Sequence, residues 1–162
     1  MSLTFFNCDW GSTNFRLRAI GRNSLSVLAE VATDQGAARL ALGDDRERPV
    51  RYERALVEGM ESLLPALRPG FEKAPIAISG MASSSIGWQE LPYATLPLKL
   101  DGSGLPWREM PPVAGHRVML ISGVRDQLDV LRGEETQAIG LVREGGLAEG
   151  CVILPGTHSK HL

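Results

Sequence analysis

Leu3-Thr4-Phe5-Phe6-Asn7-Cys8, then Asp9-Trp10-Gly11-Ser12-Thr13-Asn14, then Phe15 to Ile20 reads as strand, tight polar turn, strand. An acidic residue at the end of a buried strand, here Asp9, can hold a hydrated Mg²⁺ beside a nucleotide. Gly11 lets backbone N–H groups approach a ligand closely, and Ser12 and Thr13 add hydroxyl donors. Converging donors that no side chain blocks suit phosphate oxygens. The competing reading is an ordinary hairpin turn capped by Asp and Ser.

A second turn has the same chemistry. Cys151-Val152-Ile153-Leu154 reads as a short apolar strand that runs into Pro155-Gly156-Thr157-His158-Ser159-Lys160. Two strand-to-turn elements of this kind suggest two half-sites facing one polyphosphate. The chain holds neither G-x-x-x-x-G-K-[ST] nor G-x-G-x-x-G.

Composition narrows the classes. With 162 residues the chain suits one domain of ordinary size, and 43% apolar with 22% charged residues fits a globular protein. A net charge of −2, with Lys and Arg scattered, gives no electrostatic footprint for nucleic acid. No apolar run reaches the roughly 18–20 residues that cross a bilayer. Met1-Ser2-Leu3-Thr4 lacks the basic region of a signal peptide, so a cytoplasmic location is the default. Cys8 and Cys151, each in an apolar strand, read as buried free thiols. His158 and His161 are too few for a zinc site.

Along the chain, residues 3–9, 14–21 and 25–33 read as an antiparallel meander with short turns. Segment 34–50 reads as loop. Arg51 to Leu67 places Tyr52, Ala55, Leu56, Met60, Leu63, Leu64 and Leu67 on one helical face. A strand over Ala74 to Ser79 precedes a long Gly-, Ser- and Pro-rich loop over 80–116. A further strand follows at Arg117 to Ile121. A helix over Asp129 to Arg143 begins near Arg132-Gly133-Glu134-Glu135, stops at Gly145-Gly146, and leads to the strand at 151–154. Three meander strands followed by alternating helices and strands predict an α/β fold with a mixed sheet, antiparallel meander plus parallel strands, flanked by helices.

This order resembles the ribonuclease-H-like half of the sugar kinase, Hsp70 and actin superfamily. The resemblance narrows with four segments in order. They are Asp9–Asn14, Ser79-Gly80-Met81-Ala82-Ser83-Ser84-Ser85-Ile86-Gly87-Trp88, Arg132-Gly133-Glu134-Glu135-Thr136-Gln137, and Leu154-Pro155-Gly156-Thr157-His158-Ser159-Lys160. Together they are similar to the 2-dehydro-3-deoxygalactonokinases. The resemblance implies transfer of the γ-phosphoryl of ATP, with Mg²⁺, to the 6-hydroxyl of 2-dehydro-3-deoxy-D-galactonate in galactonate breakdown. Chains of that family run to nearly twice this length. The expected organisation is therefore an N-terminal domain over 1–150, with 80–116 as a substrate-loop insertion, and the first strand and phosphate turn of a second domain over 151–162. The isolated half is expected to be inactive, because it cannot close a cleft over its substrate. The alternative is a non-catalytic module that binds a sugar acid or phosphate. An unpaired strand at 151–154 would favour a homo-oligomer.

Site expectations follow. The resemblance favours Asp9 for Mg²⁺, with Gly11, Ser12, Thr13 and Asn14 on the β and γ phosphates. Gly156, Thr157, Ser159 and Lys160 would meet them from the other side. Glu134 and Glu135 are the candidate bases, with Glu135 preferred because Glu135-x-Gln137 resembles the Asp-x-Asn of related kinases. The competing role of both carboxylates is to stabilise a helix N-terminus. Arg132 has the planar fork that suits a substrate carboxylate, or it pairs with a neighbouring Glu. Ser83, Ser84, Ser85 and Trp88 follow a strand end, where open α/β sheets bind ligands. There they line a polyol pocket, unless Trp88 tucks into the core.

Overall fold

The computed structural model describes residues 4–21, 25–67, 69–145, 150–155 and 159–161. The meander forms as β1 (Thr4–Trp10), β2 (Phe15–Gly21) and β3 (Ser26–Thr33). A short helix α1 (Ala37–Leu40) and the long helix α2 (Arg48–Leu63) follow. Next come β4 (Ile76–Gly80), β5 (Ala94–Thr95), β6 (Trp107–Val113), β7 (His116–Ile121), β8 (Val124–Arg125) and β9 (Val130–Leu131). Helix α3 (Glu134–Gly145), β10 (Ile153–Leu154) and β11 (Lys160–His161) complete the described chain.

The main sheet has the order β3-β2-β1-β4-β7-β6. Strand β1 is antiparallel to β2 and parallel to β4, and β4 is parallel to β7. This is the ribonuclease-H-like mixed sheet the sequence leads one to expect, extended by the antiparallel strand β6. Side chains alternate across a strand, so register sorts the sheet into two faces. Ala19, Phe6, Ile76 and Val118 form one row, and Leu17, Cys8, Ile78 and Leu120 the next. All are buried under α2, which contributes Tyr52, Ala55, Leu56, Met60 and Leu63. At Gly59 a Cβ would lie 2.7 Å from the Phe15 ring, so this glycine sets how closely α2 crosses β2. The opposite face carries Asn7, Asp9, Arg16, Arg18 and Ser79 in the intervening rows. One buried and one polar face is what the alternating burial of β1 and β2 records.

Several expectations need correction. Residues 34–50 are not all loop: α1 lies there, and α2 begins at Arg48, with Pro49 in its first turn. The helix ends at Leu63 and gives way to a 3₁₀ turn over Leu64–Ala66. Residues 80–116 are not one loop either, because Trp107–Val113 is an edge strand of the main sheet. Pro111 and Pro112 mask it in the sequence, yet they sit at a register shift between Met110 and Val113, where a missing N–H is tolerated. The helix expected from Asp129 starts only at Glu134, because Val130–Leu131 pairs with β8. Cys8 is buried as expected, whereas Cys151 is exposed. Strand β10 is not unpaired, since it pairs antiparallel with β11. The turn residues 22–24 and the helix stop at Gly146 lie outside the described residues. No described helix is long and apolar enough to cross a membrane.

Gly140 is exposed within α3, and a Cβ there would meet nothing within 4 Å. Gly140→Ala is expected to stabilise the protein by about 0.5–1 kcal/mol, by removing backbone freedom from the unfolded chain. Urea denaturation measures this. A midpoint at or below that of the parent protein would count against a well-formed α3.

Candidate functional site

The turn after β1 is held from behind by the chain at 36–38. Gly36 N–H donates to Thr13 O (3.0 Å), Ala37 N–H to Gly11 O (3.0 Å) and Ala38 N–H to Ser12 O (2.9 Å). In a trans peptide the N–H points opposite to the C=O. Anchoring these three carbonyls therefore turns the N–H groups of Ser12, Thr13 and Asn14 away from α1. Among the described residues none of the three amides has a backbone acceptor. A Cβ on Gly36 would lie 2.1 Å from Thr13 C and 2.5 Å from Ser12 O, so only glycine allows this contact.

The turn opens into a cleft of about 520 Å³. Asp9, Gly11, Ser12, Thr13, Asn14 and Arg16 line one side, and Arg132, Glu134, Gln137 and Lys160 others. The sequence-predicted turn, Asp9, Arg132, Lys160 and one of the two base candidates, Glu134, thus share one space. Asp9 is brought there by alternation, since its neighbours Cys8 and Trp10 face the core. Burial holds the Asp9 carboxyl above its ordinary pKa, and the Arg16 and Arg18 charges act against that shift. Arg16 Nη1 lies 3.9 Å from Asp9 Oδ2. Among the described residues no group of three His, Cys, Asp or Glu side chains gathers to hold a metal. A cation beside Asp9 would take most of its ligands from phosphate and water, which is how Mg²⁺ commonly binds. The outward amides and the Asp9 carboxylate fit a magnesium–polyphosphate in that sense.

Helix α3 brings the acidic pair. Gly133 (φ +106°) packs against Gly80, and a Cβ on it would meet Gly80 Cα at 3.4 Å and Asp9 Oδ1 at 3.9 Å. Gly80 (φ +99°) in turn sits against the Trp10 carbonyl, where a Cβ would lie 2.5 Å away. These two glycines let the start of α3 approach the end of β1. Glu134 lines the cleft, and its Oε2 accepts from the Arg132 N–H (2.7 Å). Glu135 is 4% exposed and its Oε2 accepts from the Gly133 N–H (2.8 Å), while its buried Oε1 has no partner. Burial pushes the Glu135 carboxyl up to about 7. That value would suit a base, but a base must first reach its proton. Glu134 lines the cleft, whereas Glu135 is turned away from it and buried.

Other predicted residues fall elsewhere. Ser83 and Ser84 are buried, and their hydroxyls donate to Gly80 O (3.1 Å) and Met81 O (2.7 Å). They shape the turn after β4 and do not line the cleft. Ser85 is exposed and its carbonyl accepts from Arg48 (2.9 Å). Trp88 takes the core alternative: it stacks on Tyr52 (ring centroids 6.1 Å apart) and packs edge-on against Trp10 (6.4 Å). A polyol wall made of these four side chains is thereby corrected, because apolar burial captures the indole and local carbonyls capture two hydroxyls. Lys160 lines the cleft with its ammonium on Asp129, whereas Ser159 is exposed. Gly156 and Thr157 lie outside the described residues. Arg16 was not singled out from the sequence. Its register position opposite Asp9 was the available signal, legible once the meander is aligned.

The profile of the 2-keto-3-deoxy-galactonokinase family matches residues 9–162. A protein of Rhizobium meliloti (strain 1021), described as a probable 2-dehydro-3-deoxygalactonokinase, is 32% identical over 156 residues, covering 94% of this chain and 46% of that protein. The 2-dehydro-3-deoxygalactonokinase of Escherichia coli (strain K12) is 28% identical, covering 99% of this chain and 49% of its own length. A crystal structure from Sinorhizobium meliloti, assigned to 2-dehydro-3-deoxygalactonokinase, superposes with a TM-score of 0.75 at 29% identity, covering 97% of this chain and 48% of that one. The chain spans about half the length of the curated relatives it matches. Sheet order and the superposed relative agree on the fold class, a ribonuclease-H-like mixed sheet flanked by helices. Within that class the chain belongs to the 2-keto-3-deoxy-galactonokinase family.

Proposed function

We propose that the chain supplies the phosphate-gripping, acid-bearing half of an ATP-dependent kinase that phosphorylates 2-dehydro-3-deoxy-D-galactonate at its 6-hydroxyl, a cytoplasmic step in galactonate breakdown. In this reading residues 1–150 are the N-terminal domain and 151–162 begin a second. The observation that carries it is the set of outward amides at Ser12, Thr13 and Asn14, sharing one cleft with Asp9 and Glu134.

Bound magnesium–ATP would supply the γ-phosphoryl group and neutralise part of its charge. The amides of 12–14 would hold the phosphate oxygens without side-chain rearrangement, and Asp9 is the residue that would hold the metal. The Glu134 carboxylate takes the proton of the 6-hydroxyl as that oxygen bonds to phosphorus and ADP leaves. Arg132 receives the sugar acid's carboxylate. Lys160 would meet the phosphates from the other side of the cleft, and must leave Asp129 to do so.

The test is ATP consumption by the full-length protein that contains this chain. Turnover on the order of 1–100 s⁻¹ is expected only when 2-dehydro-3-deoxy-D-galactonate is present. The 162-residue chain alone is expected to show none, since a cleft open to water cannot hold the reacting groups in line. ATP hydrolysis indifferent to the sugar acid, or ordinary kinase rates from the short chain, would overturn the reading.

A further inference from the structure

We infer that Tyr93 is a positioning residue for sugar-acid specificity: it fixes the Arg132 guanidinium so that its terminal edge is left to grip a carboxylate. This rests on the proposed reading of the cleft, in which Arg132 meets the acid group of the substrate. Arg132 forms no ion pair with Glu134 or Glu135 among the described residues. Its Nε–H donates instead to the Tyr93 hydroxyl (2.5 Å), and its guanidinium carbon lies over the Tyr93 ring, 5.2 Å from the centroid. Nη1 has only a long contact to Met81 Sδ (3.8 Å). An arginine offers two forks, one at Nε with Nη2 and one at Nη1 with Nη2. With Nε committed to Tyr93, the Nη1–Nη2 edge is the fork left for an anion, and Arg132 lines the cleft.

A separate three-stranded sheet, β5-β8-β9, builds this pair. Ala94 pairs with Val124, and Val124 with Leu131. One step along the register sets Tyr93, Gly123 and Arg132 in a row, with glycine in the middle. Gly123 admits no side chain there, since a Cβ would lie 2.0 Å from Leu131 O. The central strand of this small sheet thus leaves the space across which the phenol and the guanidinium meet. A charged fork locked by an aromatic face and one hydrogen bond loses little freedom on binding. That pre-organisation discriminates a carboxylate from a neutral group of the same shape.

The experiment uses the full-length protein and compares 2-dehydro-3-deoxy-D-galactonate with its methyl ester, by calorimetric binding and by steady-state kinetics. Tyr93→Phe keeps the ring and deletes the hydroxyl. It is expected to raise Kd and KM for the acid about tenfold, as loss of an ordered charge-assisted contact does. The loss falls on KM rather than kcat, and ester binding stays as it was. In an Arg132→Lys background, which keeps the charge and removes the fork, Tyr93→Phe adds little. The inference is overturned if the parent protein does not prefer acid to ester, or if Tyr93→Phe binds the acid normally. It is also overturned if Tyr93→Phe weakens acid and ester alike, or acts undiminished without Arg132. A parent protein that binds the acid but transfers no phosphoryl group would sink the kinase reading alone, and the binding arm would still decide the role of Tyr93.

Discussion

Replacing Gly36 by valine is expected to remove both nucleotide binding and a sizeable part of the folding free energy. The reason is space. A Cβ at this position falls 2.1 Å from Thr13 C and 2.4 Å from Thr13 O, inside any permissible contact. Both atoms belong to backbone, so no rotamer change relieves the clash. The chain at 36–38 must move off the turn, and the three anchoring bonds to Gly11, Ser12 and Thr13 carbonyls go with it. Overpacking of this kind commonly costs about 1–3 kcal/mol. The lost anchors add to it, and the amides of Ser12, Thr13 and Asn14 lose their shared direction. Gly11→Ala is the contrast, because its Cβ would meet Asn14 O at 3.3 Å, a distance a small shift relieves, and Asn14 N at an ordinary 3.9 Å. Urea denaturation and nucleotide titration of the full-length protein read the two effects. A Gly36→Val protein with parental stability and ATP affinity would show that the 36–38 clamp does not organise the turn.

That contrast explains what the sequence could and could not reveal. Gly11 is conspicuous because it sits between an acidic residue and two hydroxyls. Gly36 looks like one glycine among several in a polar stretch, and its partner is more than twenty positions away. The alternation of β1 and β2 was readable, so the placement of Asp9 opposite Cys8 and Trp10 followed from period two alone. Strand β6 was not readable, because Pro111 and Pro112 argue locally against a strand, and only an edge position with a register shift accommodates them. The short strands β5, β8 and β9 have two residues each and no periodicity to detect. They hold Tyr93 against Arg132, so a contact that fixes one cleft-lining side chain had no local signal. Trp88 was ambiguous for a different reason. A tryptophan after a strand end suits a ligand wall or a core equally, and only the neighbouring rings of Trp10 and Tyr52 decide it.

The adjacent glutamates should separate by what each substitution changes. Glu134→Gln is expected to lower kcat by about 10²–10⁴, the usual contribution of a positioned general base. The KM for ATP should change little, because the amides of 12–14 are untouched. Glu135→Gln should leave turnover within a few-fold of the parent and instead alter how stability depends on pH. The Glu135 carboxyl is raised from 4.5 to about 7, chiefly by burial. The folded state therefore holds this proton more tightly than the unfolded chain does. Its contribution to stability is full below about pH 4.5 and is lost as pH rises through about 7. The displacement corresponds to roughly 3 kcal/mol across that window. Glutamine keeps an acceptor for the Gly133 N–H and cannot ionise, so its denaturation midpoint should stay flat where that of the parent declines. At pH 8 the variant should be the more stable protein. If Glu135→Gln abolished turnover while Glu134→Gln spared it, the buried carboxyl would be the base after all. Helix α3 would then have to rotate on substrate binding to bring Glu135 into the cleft.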